Sequence, residues 1–208
     1  SSNILIFCSS SNSARSLFEY LNSELSGVSV FYDQEKTEIR RALSDPSKSV
    51  IICDKRSEEG LNLQGPDRVI IQFELPLDPN RIEQRLGRVD RYGGQDFKSL
   101  VLEDISSSYL IDWSNLVIDT LGVFKESIAS LQFIIEDEIQ KIEKMFLDEG
   151  VEVFHKLNQI LSGNEGLIET EKRKILLQEN IDSFVSDFYQ EFELNPKEVD
   201  KVITLLRE

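Results

Sequence analysis

Five short runs rich in β-branched residues recur through the first hundred residues, and segments with a helical pattern separate them. The runs are NILIFC (3–8), VSVFY (28–32), SVIIC (49–53), RVIIQF (68–73) and KSLVLE (98–103). Between the first two, apolar residues repeat at intervals of three and four from Ala14 to Leu25, which is typical of a helix with one buried face. Strands that alternate with helices build a mostly parallel sheet covered by helices, so an α/β fold is expected for residues 1–105.

From Ser106 onward the apolar residues repeat with a helical period alone. Gly122 and Gly150 follow the ends of two such stripes, and SGNEG (162–166) is typical of a linker. Residues 106–208 are therefore predicted to form an all-helical extension. This extension holds most of the acidic charge, since residues 101–208 carry 10 Lys and Arg against 23 Asp and Glu in a chain of net charge −15.

Composition excludes several classes of protein. The chain is 40% hydrophobic and 29% charged, which is typical of a globular protein, and no apolar run approaches the roughly 20 residues that cross a bilayer. The first residues, SSNILIF, contain neither a basic region nor a cleavage site, so we expect no secretory signal and a cytoplasmic location without a membrane partner. Cys8 and Cys53 each end an apolar run, which predicts reduced, buried thiols, and with a single histidine no metal site is predicted.

The segment QRLGRVDR, which begins at Gln84, concentrates forked donors on a predicted short helix after an LPLDPN turn. Gln84, Arg88 and Arg91 lie about one turn apart and share a face. Guanidinium groups match the geometry of phosphate oxygens, so the pattern indicates an anion site. Taken alone, it fits equally well a solvated helix whose arginines pair with Glu83 and Asp90.

This helix ends an ordered series of motifs within 46 residues. The strand SVIIC is followed by EEGLNLQ, in which Gly60 allows backbone to approach a ligand without a Cβ in the way. A second strand, the LPLDP turn and QRxGRxxR complete the series. The plain alternative is that Gly60 is a loop glycine and Asn62 a turn residue.

The series resembles motifs V and VI of superfamily-two helicases and translocases, and ILIFCSS (4–10) resembles their motif IV at the start of the second RecA-like lobe. The resemblance is strongest to the Swi/Snf-type group, especially the RapA group of bacterial RNA polymerase-associated ATPases, through SEEGLNLQ, FELPLDPN and EQRLGRVDRYGGQ. It is strong over residues 3–103 and weaker to about residue 185. It implies a RecA-like parallel sheet, as in the second lobe of helicases with a P-loop NTPase-type fold.

The resemblance also implies roles at the nucleotide. Arg88 and Arg91 match the two motif VI arginines that reach ATP bound on the other lobe, and Gln84 matches the nucleotide-sensing position of that motif. Gly60, with Glu59 beside it, matches the motif V turn near the nucleotide ribose and the lobe interface.

For nucleic acid, the resemblance implies that Ser9 occupies a motif IV position that touches a phosphate. The chain departs from the family at Asp54, because Swi/Snf-type proteins usually have a threonine or serine there that hydrogen-bonds a phosphate. Lys55 and Arg56 follow directly and are candidates to take over that contact.

The sequence contains no GxxxxGK[ST] phosphate loop and no DExx-type acidic box that follows an apolar strand. The first hypothesis is therefore the C-terminal lobe of an ATP-dependent translocase, inactive alone, which acts on ATP and Mg²⁺ held mainly by the N-terminal RecA-like lobe of the same protein. The implied track is double-stranded DNA, with RNA as the alternative. The second hypothesis makes the lobe a platform and the acidic helical extension a docking module for RNA polymerase or a DNA-defence or DNA-modification complex.

Overall fold

A computed structural model describes residues 3–32, 37–44, 47–58, 61–65, 68–89, 98–102, 108–192, 201 and 204. Three predicted site residues, Glu59, Gly60 and Arg91, lie outside these residues, as does most of the predicted helical extension beyond residue 192. The chain divides into two compact units, Ser1–Asn158 and Gln159–Glu208. The boundary predicted after residue 105 falls inside the first unit, and the division into a lobe and a helical extension stays a prediction.

Five parallel strands form one sheet in the order β2-β3-β1-β4-β5. They are β1 (Ile4–Phe7), β2 (Ser29–Phe31), β3 (Ser49–Cys53), β4 (Val69–Gln72) and β5 (Lys98–Val101). Each strand lies within one of the five predicted runs. All five residues of β3 are buried, as expected of a strand covered on both faces. The predicted fold class, a RecA-like parallel sheet followed by helices, is confirmed.

Helices cover both faces of the sheet. They are α1 (Ser11–Glu24), α2 (Thr37–Ser44), the single turn α3 (Lys55–Glu58) and α4 (Pro79–Val89). Successive residues of β1 alternate between two hydrophobic cores, because side chains of a strand point to opposite faces. Leu5 and Phe7 pack in one core with Ile39 of α2 and Val89 of α4. Ile6 lies in the other core, which α1 covers.

Side-chain hydrogen bonds cap the first turns of α1 and α4. The hydroxyl of Ser10 accepts a hydrogen bond from the Ser13 amide at 3.0 Å, so the side chain of Ser10 caps the start of α1. Pro79 is the first residue of α4, and the Asp78 carboxylate accepts from the Asn80 amide at 3.0 Å. The LPLDPN turn thus ends in a capped helix, as predicted.

The rest of the described chain is helical, as predicted. Its elements are α5 (Ser108–Asn115), a π-helical segment (Leu116–Thr120), a 3₁₀ turn (Ala129–Leu131), α6 (Gln132–Glu149), α7 (Glu152–Leu161) and α8 (Leu167–Phe192). Gly150 ends α6 with a φ of 66°, a conformation that favours glycine. None of the helices in the described ranges is long and apolar enough to cross a membrane.

Candidate functional site

Polar residues follow the carboxyl ends of four neighbouring strands. Ser9 comes after β1, Tyr32 after β2, Asp54 after β3 and Glu74 after β4. Because the strands are parallel, these ends meet at one edge of the sheet. In α/β proteins this is the edge where ligands bind, so we treat it as the candidate site.

Asp54 is completely buried and caps the turn that follows β3. Its Oδ1 accepts from the Arg56 amide at 3.0 Å, and its Oδ2 accepts from the hydroxyls of Ser11 at 2.6 Å and Tyr32 at 3.0 Å. Aspartate, serine and threonine all cap helices through a side-chain oxygen. Asp54, in place of the threonine or serine of the Swi/Snf-type pattern, therefore still caps this turn but adds a negative charge.

Ser9 uses its donors within the protein. Its amide donates to Glu74 Oε2 at 2.8 Å, and its hydroxyl donates to the Glu74 carbonyl oxygen at 3.2 Å. The other oxygen of the Glu74 carboxylate accepts from the Ser13 hydroxyl at 2.6 Å. A nucleic-acid phosphate would have to replace Glu74 as the partner of Ser9, and the carboxylate beside it opposes an incoming anion. The phosphate contact of Ser9 stays a prediction.

A fully buried arginine joins α4 to three other parts of the lobe. The Nε of Arg85 donates to Glu58 Oε1 at 2.8 Å, and its Nη2 forms an ion pair with the same oxygen at 2.7 Å. Its Nη1 donates to Gln72 Oε1 at 2.7 Å and to the Glu74 carbonyl at 3.1 Å, and its Nη2 donates to the Cys8 carbonyl at 3.2 Å. One side chain thereby connects α4 with the ends of β1 and β4 and with α3.

Glu58 also binds a second arginine of α4. Arg81 Nη2 donates to both oxygens of the Glu58 carboxylate, at 3.0 and 3.1 Å. Burial lowers the pKa of Arg85 while the Glu58 carboxylate opposes that shift. An arginine nevertheless keeps its charge in a protein, so the buried cation is compensated by Glu58. We call Arg85, Glu58, Arg81 and Gln72 the Arg85 cluster.

The outer side of α4 carries the predicted nucleotide residues. Gln84 and Arg88, one turn apart, are both exposed. The guanidinium of Arg88 has no hydrogen bond or ion pair with any residue in the described ranges. The backbone carbonyl of Arg88 accepts from the Leu63 amide at 3.2 Å, which connects α4 to the motif V segment. The structure thus brings Gln84 and Arg88 together on a face open to a ligand.

Lys55 and Arg56, the predicted phosphate contacts of motif V, are exposed on α3. Lys55 lines a polar cleft of about 490 Å³ together with Arg81 and the acidic residues Asp78, Glu136 and Glu143. This cleft lies between α3, the turn before α4, and α6. The Lys55 ammonium therefore lies in a cleft that is also lined by three carboxylates. The contacts of Lys55 and Arg56 with nucleic acid stay predictions.

Sequence reasoning missed the Arg85 cluster, although one signal was present. Arg85 lies three residues after Ile82 and four before Val89, and both of these are buried. This spacing puts Arg85 on the buried stripe of α4 rather than on the face of Gln84 and Arg88. An arginine within an apolar stripe indicates a buried ion pair, but the position of its partner, Glu58, follows only from the fold.

The two cysteines are free and buried, as predicted. Burial raises the pKa of Cys8 to about 12, and Glu74 contributes to the shift. Burial raises the pKa of Cys53 to about 12 as well, and Glu58 contributes there. Both thiols therefore stay protonated and unreactive near neutral pH.

The described residues fit a phosphate better than a metal ion. The exposed guanidinium of Arg88 can form a forked pair with phosphate oxygens of ATP. Within the described ranges, no group of three or more His, Cys, Asp or Glu side chains is arranged to hold a metal ion. The described residues thus include an exposed forked donor but no ligand set for a metal ion, and the contact of Arg88 with a nucleotide stays a prediction.

Comparisons with known proteins agree with this geometry. Residues 1–93 match the helicase conserved C-terminal domain. The RNA polymerase-associated protein RapA of Photobacterium profundum is 33% identical over 135 residues, which cover 60% of this chain and 13% of that protein. The RapA of Vibrio atlanticus is 28% identical over 182 residues, which cover 79% of this chain and 18% of that protein.

The chain thus spans less than a fifth of the length of these relatives. Among solved structures, the C-terminal domain of the DEAD-box protein Dbp5 aligns with a TM-score of 0.39 and 20% identity, over 66% of this chain and 82% of that one. The family match covers β1 to β4, α4 and the Arg85 cluster. Residues 1–93 are therefore similar to a helicase C-terminal domain, and the chain is similar to part of the RapA proteins.

Proposed function

We propose that this chain is the C-terminal motor lobe of an ATP-dependent translocase of the Swi/Snf type. In this proposal Arg88, with Arg91, reaches the phosphates of ATP bound on the N-terminal RecA-like lobe of the same protein, and Gln84 senses the nucleotide. The observation that carries it is the contrast on α4. Arg85 holds the helix from the buried side, while Arg88 is exposed and its guanidinium has no partner among the described residues.

ATP hydrolysis needs this kind of contribution from a second lobe. ATP and Mg²⁺ supply the transferred phosphoryl group and the main counter-charge, and both are assigned to the N-terminal lobe. Catalysis of phosphoryl transfer depends on positioning and on stabilising charge in the transition state. A helix fixed by a buried ion pair positions a guanidinium well, and an arginine supplied in this way raises the rate by about 10³ to 10⁵, or roughly 4 to 7 kcal/mol.

The remaining assignments are part of the same proposal. Glu59 and Gly60, at the motif V position, contact the nucleotide near the ribose, and Ser9, Lys55 and Arg56 contact the nucleic-acid backbone. Double-stranded DNA is the proposed track, with RNA as the alternative. The extension from residue 106 provides a surface for a protein partner.

The test of the nucleotide role is Arg88→Ala in the intact protein. We expect kcat for DNA-stimulated ATP hydrolysis to fall by about 10²-fold or more while duplex affinity stays near wild type, because the guanidinium acts on transition-state charge. Arg40→Ala on α2 is the matched control, since Arg40 is also an exposed helical arginine. Loss of duplex affinity with hydrolysis intact would instead make Arg88 a backbone contact.

A second candidate function, a non-catalytic docking platform, has one observation in its favour. The edge where the family is expected to contact phosphate holds two carboxylates, Asp54 and Glu74, that already accept hydrogen bonds from the nearby hydroxyls. Repulsion between these carboxylates and phosphate would weaken nucleic-acid binding. An intact protein that hydrolyses no ATP with duplex or RNA present would support the platform over the motor.

A further inference from the structure

An apolar pocket of about 330 Å³ lies among the helices of the first unit. Its walls come from α5, α6, α7 and the turn before α4. Four aromatic residues, Tyr109, Trp113, Phe146 and Phe154, form much of the lining. Nothing in the proposed motor function uses this pocket.

The aromatic lining is arranged around Phe154. The Phe154 ring lies 6.0 Å from Tyr109, 5.9 Å from Trp113 and 6.1 Å from Phe146, measured between ring centroids. The indole N–H of Trp113 donates to the Pro76 carbonyl at 3.2 Å, so the pocket gains no free donor from it. A lining of this kind favours an apolar ligand.

The rim of the pocket is accessible to a macromolecule. Leu77 is 50% exposed, Phe146 41% and Tyr109 36%, so large apolar side chains border the opening. Exposed apolar surface next to a pocket of this size is typical of an interaction site.

The lining favours a helix as the ligand. The described residues of the lining belong to helices and one turn, and none belongs to a strand. An extended peptide would find no strand edge with which to pair its backbone, whereas a helix satisfies its own hydrogen bonds and offers an apolar face.

The charge around the opening favours a basic ligand. Glu143 lines the pocket and also the adjoining polar cleft, where Asp78 and Glu136 add two more carboxylates. The cleft also holds two cations, Lys55 and Arg81, and Arg81 is already paired with Glu58. Glu143 itself has no ion-pair partner in the described part of the chain. A negative rim attracts lysine and arginine and slows the approach of acidic segments.

We propose that this pocket docks a basic amphipathic helix from a partner polypeptide. Apolar side chains of that helix fill the pocket against Phe154, and its lysine or arginine residues pair with Glu143 and the neighbouring carboxylates. This proposal gives a chemistry to the partner surface that the proposed function assigns to the extension, and it does not depend on ATP hydrolysis by the lobe.

Trp113 makes the test direct because it is the only tryptophan of the chain and lines the pocket. The probe is a synthetic leucine–lysine amphipathic peptide of about 15 residues, the length at which an isolated helix becomes stable. We expect a saturable change in tryptophan emission, and at least about 10-fold weaker binding of a leucine–glutamate peptide with the same apolar pattern.

Variants separate specific docking from general adhesion. Leu77→Asp and Glu143→Lys are expected to weaken binding of the leucine–lysine peptide at least about 10-fold. Leu147→Asp is the matched control, because Leu147 is 89% exposed on α6 but does not line the pocket. Far-UV circular dichroism establishes that each variant is folded.

Four results would overturn the proposal. Equal binding of the two peptides would remove the preference for basic partners, and an equal effect of Leu147→Asp would show non-specific adhesion. No emission change with either peptide would mean that the pocket does not accept a helix. A dimer in sedimentation that Leu77→Asp dissociates would make a second copy of the chain the occupant.

Discussion

Removing Glu58 tests whether the Arg85 cluster stabilises the lobe. Glu58→Ala takes away the only charged partner that Arg85 has among the described residues, while the Arg85 side chain is 0% exposed. Breaking a buried ion pair by removing one partner costs about 3 to 5 kcal/mol. Because Gln72 and the carbonyls of Glu74 and Cys8 still accept from Arg85, we expect the lower end, about 3 kcal/mol.

The assay is urea unfolding followed by Trp113 emission, which reports on the first unit. The matched control is Lys156→Ala, which breaks the ion pair between Lys156 and Glu149. Their side chains are 52% and 34% exposed, respectively. Exposed pairs contribute at most about 1 kcal/mol, so this variant should unfold near the wild-type midpoint. A loss below about 1 kcal/mol for Glu58→Ala would refute the role assigned to the Arg85 cluster.

Four further predictions concern the chain itself. Iodoacetamide should modify the buried Cys8 and Cys53 only on unfolding. The free energy of unfolding should fall as pH rises above about 9, because thiols with a folded-state pKa of about 12 retain protons that the unfolded chain releases. Rapid labelling of the native chain, or a free energy of unfolding that does not change with pH, would contradict this. The chain alone should hydrolyse no ATP, and a magnesium-dependent turnover by purified chain would contradict the assignment of the other ligands to a second lobe. A labelled duplex should bind no tighter than about 10⁻⁴ to 10⁻⁶ M at physiological salt with a shallow salt dependence, and nanomolar binding would reveal a basic surface that the charge count misses. Asp54→Ala should lower the free energy of unfolding in urea by about 1 to 2 kcal/mol, and Asp54→Ser should lower it less because serine retains the cap. Equal losses of stability in the two variants would show that the charge of Asp54 matters rather than the cap.

Sequence periodicity was sufficient for the sheet and most of the helices. A strand such as β3 is a continuous apolar run bounded by polar residues, and α4 carries both a proline at its first position and a capping aspartate. These signals are local, so they do not depend on the rest of the fold. The π-helical segment at Leu116–Thr120 has no comparable local signal, because it changes the helical period without a proline or glycine.

Contacts between distant residues explain what the sequence could not predict at the site. Arg85 meets Glu58 across 27 residues and the Cys8 carbonyl across 77 residues. The family resemblance indicated the outward-facing residues Gln84 and Arg88, because those match a named motif. It did not identify Glu58, whose role depends on α3 and α4 lying side by side.

The buried guanidinium of Arg85 also limits how the lobe can deform. It is bonded at once to the end of β1, to β4 and to α3, so α4 cannot tilt or slide without breaking several hydrogen bonds in a site closed to water. The hydrogen bonds of Arg85 therefore resist a displacement of the α4 backbone at Arg88. In the proposed motor, a nucleotide that moved this backbone would load the ends of β1 and β4 through Arg85, and the flexibility needed for a conformational cycle would have to come from segments that Arg85 does not bond.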